Sequence, residues 1–136
     1  MNLQERIATE ALGLVGTPFR LRGRSVETGL DCVGLALQAA GRAGAMVGPA
    51  PAYALRGMGA SRAARLLADG GLHPVAHAEP GDLLLARTGA MQLHIMILTA
   101  RGLVHAHAGL RRVVLMPSPA PWPILGQWRF PSSGTR

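Results

Sequence analysis

The stretch Gly29-Leu30-Asp31-Cys32-Val33-Gly34-Leu35 holds the only cysteine in the chain, and the rest of the sequence is read outward from it. A polar, glycine-bearing segment precedes it. An alanine-rich run follows to Ala43, with no proline and no charge before Arg42. The pattern predicts a helix over Cys32 to Ala43 with Asp31 as N-cap, which puts the thiol in the first turn among backbone N–H groups that lack intrahelical partners. Those groups favour an anion, and a thiolate stabilised there is a nucleophile. A lone cysteine is equally a small apolar residue suited to a buried helix, so the stretch by itself leaves both roles open.

Upstream, Leu3, Ile7, Ala11, Leu14 and Val15 recur at helical spacing and predict an amphipathic helix over Leu3 to Val15. Gly16 is placed to close it in a left-handed conformation and Pro18 to stop it. Thr17 to Leu30 reads as an extended, arginine-rich loop. Downstream, Val47 to Gly59 reads as loop, and Ser61 to Ala68 as a short helix capped by Ser61 and stopped by Gly70-Gly71. After the turn Glu79-Pro80-Gly81-Asp82 the period changes from helical to two. Leu83 to Ala86, Leu93 to Leu98, Leu103 to His107, Val113 to Met116 and Leu125 to Phe130 then predict an antiparallel meander of about five strands. Tight turns fall at Arg87 to Ala90, Ala100 to Gly102 and Ala108 to Leu110. Helices first and sheet afterwards give an α+β fold, a single domain over residues 1–131 with the cysteine helix packed on the sheet, and 132–136 as a disordered tail.

A chain of 136 residues can bury one core without cross-links. One cysteine excludes an internal disulfide and a cysteine-rich zinc cluster. The net charge of +7 is carried by arginine, scattered rather than gathered on one helix, with few aromatic rings for bases to stack on; nucleic acid is not the expected partner. The first residues lack the pattern of a secretory signal, and no run reaches the roughly 18 apolar residues of a membrane span. The chain is therefore expected to be made in the cytoplasm and to need a carrier if it acts outside.

A cysteine nucleophile needs a base, and the base a third residue to orient it. There are five histidines. His73 and His77 lie in a proline-flanked loop and read as solvated. His94 begins an apolar strand in which His94, Met96 and Leu98 share one face, and His105 and His107 share a face of the following strand. Antiparallel pairing lets His94 meet one of that pair. The same histidines with Cys32 could bind zinc, although no tight ligand pair such as His-x-x-x-His is present.

At these residues the sequence resembles the NlpC-type cell-wall cysteine peptidases, which have a compact papain-like fold. The matching segments are Gly16-Thr17-Pro18-Phe19-Arg20, Asp31-Cys32-Val33-Gly34-Leu35, Pro80-Gly81-Asp82-Leu83, His94 through Leu98, and Leu103-Val104-His105-Ala106, in family order. The resemblance implies Cys32 as nucleophile, His94 as general base and His105 as the residue that orients it, with no cofactor and no metal. It chooses His105 over His107, which lies about 6–7 Å further along the same face. It also implies an endopeptidase acting on peptidoglycan stem peptides, with Phe19, Asp31, Arg20, Arg22 and His107 as candidate substrate or oxyanion contacts. Phe19 stands where the family usually has tyrosine, whose hydroxyl helps position groups around the oxyanion. The segment Gly126-Gln127-Trp128-Arg129-Phe130-Pro131 looks most like the branch found among phage-tail and gene-transfer-agent genes, which implies tail-tip protein partners and action in the periplasm or at the wall. The alternatives are a tail-tip subunit that keeps the fold with little activity, and an amidase or acyltransferase with the same triad.

Overall fold

The computed structural model describes residues 1–46, 55, 57–90 and 92–131. Most of the expected loop at Val47 to Gly59 and the expected tail at 132–136 lie outside the described residues. Helix α1 (Leu3–Gly13) opens on a capping box at Asn2, whose Oδ1 accepts from Glu5 N at 2.8 Å while Glu5 Oε1 accepts from Asn2 N at 2.9 Å. Its buried stripe is Leu3, Ile7, Ala8 and Ala11. Gly16 follows at φ +97°, and its N–H donates to Val113 O at 2.8 Å.

The segment expected to be loop contains a small hairpin, β1 (Arg24–Ser25) with β2 (Gly29–Leu30), and it leads into helix α2 (Cys32–Ala43). The helix runs over the residues that the alanine-rich pattern predicts. Asp31 caps it, with Oδ1 accepting from Gly34 N at 2.8 Å. Small side chains at Ala36, Ala39, Ala40 and Ala43 let it sit buried against α1 and the sheet. A Cβ on Gly34 would strike the carbonyl oxygen of Gly23, so glycine is what admits the preceding loop to the helix surface. Helix α3 (Ala60–Asp69) starts one residue earlier than expected: its N-cap is Gly59, with no side-chain bond, and Ser61 lies inside the first turn.

The main sheet has six strands in the order β3-β8-β4-β5-β6-β7. Strands β4 (Leu83–Gly89), β5 (Gln92–Thr99), β6 (Gly102–His107) and β7 (Arg112–Met116) form consecutive antiparallel hairpins as the alternation predicts. The meander does not continue. Strand β8 (Ile124–Arg129) returns across the sheet to pair with β4, and the short β3 (His73–Pro74) adds beyond it. Two features redirect β8. The free side of β7 is already occupied, since Val113 N donates to Thr17 O at 2.8 Å and Pro18 bridges Arg112. The four prolines between Met116 and Ile124 also lack the N–H groups that a strand paired directly after β7 would need. Arg129 then fastens the returning strand, with Nε and Nη2 donating to the two oxygens of fully buried Asp82 at 2.9 and 2.8 Å.

One sheet face carries Leu83, Leu85, Leu93, Ile95, Ile97, Val104 and Val113 into the main core with the helices. The other carries Ala86, Met96 and Leu103 under Leu84, Leu98 and Trp122.

Candidate active site

Cys32, His94 and His105 line one cavity of about 460 Å³. Each arrives from a different element for a local reason. The Asp31 cap fixes where α2 begins and so where Cys32 stands. Alternation puts His94 with Met96 on β5, and His105 with Leu103 on β6, on the face away from the helices, whereas Cys32 packs with Leu93 and Ile95. The two histidines meet beyond the β5–β6 ladder, which runs only from Thr99↔Gly102 to Ile97↔Val104, and Cys32 shares their cavity. His94 Nε2 lies 2.9 Å from His105 Nδ1, with the rings edge to face at 84°. The expected contact between the two histidines is therefore present, made by their side chains beyond the paired ladder, and His94 Nδ1 is the nitrogen left for the thiol.

His105 is 2% exposed, and its buried Nε2 has no hydrogen-bond partner among the described residues. The indole of Trp122 stands against its ring at a centroid distance of 6.0 Å. His107 is a neighbour: its ring centroid is 5.6 Å from that of His105, and its Nδ1 accepts from Leu110 N at 3.0 Å.

Burial pushes the Cys32 thiol up to about 12, and the Asp31 carboxylate adds to the rise, against the backbone N–H groups of Ile95 and Val33 and the Arg24 charge. Burial, at 8% exposure, thus works against the thiolate that the helix start favours. Burial also pushes His94 down to about 3, helped by His105 and His107, and His105 down to about 4, helped by His107. It favours the uncharged form of all three groups.

Phe19 lines the cavity, held by its N–H to Arg111 O at 2.9 Å. Asp31 lies in the wall, but its oxygens are engaged by Gly34 N, by Arg24 Nη1 at 2.6 Å and by Arg22 N at 3.0 Å, so it organises the loop and offers no donor to an oxyanion. Arg20 and Arg22 are exposed and stand outside the lining, while Leu21 between them is part of it. His73 and His77 are also outside it. Among the described residues no group of three His, Cys, Asp or Glu is placed to hold a metal ion. Sequence reasoning missed Trp122, Thr88 and Gln92, which also line the cavity. The only hint of Trp122 was a large aromatic inside a proline-rich connection, where no periodicity exists to place it.

No protein-family model matches the chain, and no curated protein matches its sequence. Solved structures do match. NlpC1 from Trichomonas vaginalis is 20% identical with a TM-score of 0.70, over 95% of this chain and 44% of that one. NlpC2 from the same organism is 18% identical with a TM-score of 0.72, over 95% and 47%. The peptidoglycan hydrolase RipB from Mycobacterium tuberculosis is 21% identical with a TM-score of 0.59, over 93% and 63%. The chain spans less than half the length of the two Trichomonas proteins it matches. N-terminal helices packed on a six-stranded antiparallel sheet give this chain the papain-like α+β fold of the solved NlpC and p60 structures.

Proposed function

We propose that the chain is a cysteine hydrolase that cuts peptide bonds in peptidoglycan stem peptides through Cys32, His94 and His105. The observation that carries this is the 2.9 Å His94–His105 contact in the cavity that Cys32 enters from the start of α2. Because burial favours the neutral thiol, its proton moves to His94 Nδ1 as Sγ attacks the carbonyl carbon. His94 Nε2–H donates to His105 Nδ1 and so supports the imidazolium, and backbone N–H groups at the helix start face the developing oxyanion. Collapse expels the amine, which takes the proton from His94. Water then gives a proton to His94 and attacks the thioester, returning the thiol and releasing the acid. The substrate class is supported by the fold shared with a protein described as a peptidoglycan hydrolase.

Delivery by a phage-like tail or gene-transfer particle, acting at the wall, is the setting this reading favours, supported by the segment Gly126 to Pro131. Phe19 and the raised thiol favour one other reading, a tail-tip subunit that keeps the fold with little activity. Digestion of purified peptidoglycan by the wild type and by Cys32→Ala, with products identified by mass spectrometry, separates the two. New peptide termini that depend on Cys32 are expected; their absence sinks the hydrolase reading.

A further inference from the structure

The loop after α1 and the turn between β6 and β7 are bound to each other by backbone hydrogen bonds: Phe19 N to Arg111 O at 2.9 Å, Val113 N to Thr17 O at 2.8 Å, and Gly16 N to Val113 O at 2.8 Å. Together they form one lip of the cavity, because Phe19 and Leu21 from the first and His107, Ala108 and Gly109 from the second line it. Four exposed arginines stand on this lip: Arg20, Arg22, Arg111 and Arg112. Among the described residues none of their guanidinium groups has an ion pair or a side-chain hydrogen bond. The acids nearest in sequence to these turns are Glu27, whose Oε1 accepts from Ser25 Oγ at 2.7 Å and whose charged neighbour is Arg42, and Asp31, whose oxygens are engaged by Arg24 and backbone N–H groups. Among the described residues no carboxylate pairs with the arginines of the lip.

A second observation is independent of charge. Arg22 at φ +59° and Arg111 at φ +62° are the only non-glycine residues with positive φ among those described. Each costs about 1–2 kcal/mol relative to ordinary backbone, a cost glycine avoids, and strain of this kind collects at ligand-binding turns. Leu21 and Leu110, 56% and 50% exposed, stand between the cations. A lip that alternates aliphatic and guanidinium groups fits a peptide bearing both aliphatic and carboxylate side chains better than a phosphodiester chain. Among the described residues the cavity lining holds no arginine, which puts the anion-binding groups at its lip.

We infer that this lip is a carboxylate-selecting subsite, in which Arg20, Arg22, Arg111 and Arg112 engage the free carboxylates of a peptide whose neutral portion enters the cavity. The inference rests on the hydrolase reading for the substrate being a peptide. Its test does not require turnover. Binding of a stem tetrapeptide with free carboxylates, and of the same tetrapeptide fully amidated, is measured by calorimetry on the Cys32→Ala variant of the 136-residue chain. The free acid is expected to bind about tenfold tighter, the sum of two or three exposed charge pairs, with the gap closing at high salt. Replacing the four arginines with glutamine is expected to abolish the gap and leave binding of the amide unchanged. Arg22→Gly and Arg111→Gly are expected to lose affinity for the acid while the melting temperature holds or rises, which a purely structural arginine does not do. Equal binding of acid and amide, no binding of either, or tighter binding of a single-stranded oligonucleotide overturns the subsite. Cys32-dependent wall cleavage then decides separately whether the hydrolase reading survives.

Discussion

Phe19 puts a ring, but no donor, into the cavity that holds Cys32. One oxyanion donor is typically worth about 10²–10³ in rate, so Phe19→Tyr is expected to raise kcat by at least tenfold with little change in KM. Steady-state hydrolysis of a defined muropeptide checks it, and a lower kcat sinks the assignment. His105 differs in kind, because it acts on His94 and not on substrate. His105→Ala is expected to lower kcat by about 10²-fold, and His105→Asn, which keeps an acceptor, to recover part of the loss. The same two rings set a pH dependence. Above pH 6.5 both the folded and the unfolded chain hold them neutral; below it the unfolded chain takes up protons that the fold refuses until His94 and His105 titrate near 3 and 4. Stability therefore falls as the pH drops from about 6.5 towards 3–4. Thermal melts across that window should show the loss, with a shallower slope in His105→Asn; equal slopes would falsify the assignment of the titration to this pair.

At the scale of elements, the start of α2 couples the loop from Thr17 to Leu30 to the nucleophile. Asp31 accepts from Gly34 N, Arg22 N and Arg24, so one buried carboxylate ties the helix, the loop and a cation together. Asp31→Ala removes the cap, worth about 1 kcal/mol, and leaves the part-buried Arg24 without that partner. A total loss of about 2–3 kcal/mol is expected in urea melts. A loss below about 0.5 kcal/mol counts against the coupling. This element was the most legible part of the sequence, because a cap, an apolar run and the absence of proline all act within a dozen residues. The hairpin of β1 and β2 was not legible, since two-residue strands carry no period. The burial that works against the thiolate was hidden for a related reason. Local sequence shows the helix start that lowers a thiol, but not the tertiary burial that raises it.

At the scale of the whole molecule, the feature that local patterns could not supply is the return of β8 to β4. Alternation gives each strand and its faces, but pairing between segments some forty residues apart is set by what else competes for each edge. Here Gly16 to Phe19 take the edge of β7, and the ion pair of Arg129 with Asp82 fastens β8 where it lands. Asp82 has no exposure, and its Oδ2 also accepts from Glu79 N at 2.8 Å, so the carboxylate joins the turn before β4 to the last strand. Arg129→Ala leaves that charge buried without its cation, a change that typically costs about 3–5 kcal/mol; because Arg129 is partly exposed, a loss near 3 kcal/mol is expected. The double variant Asp82→Asn with Arg129→Ala removes the stranded charge and should regain part of that loss. If Arg129→Ala melts with the wild type, the pair does not hold the returning strand. If the double variant is less stable than Arg129→Ala, the cost lies in the lost hydrogen bonds of the turn and not in the unpaired charge.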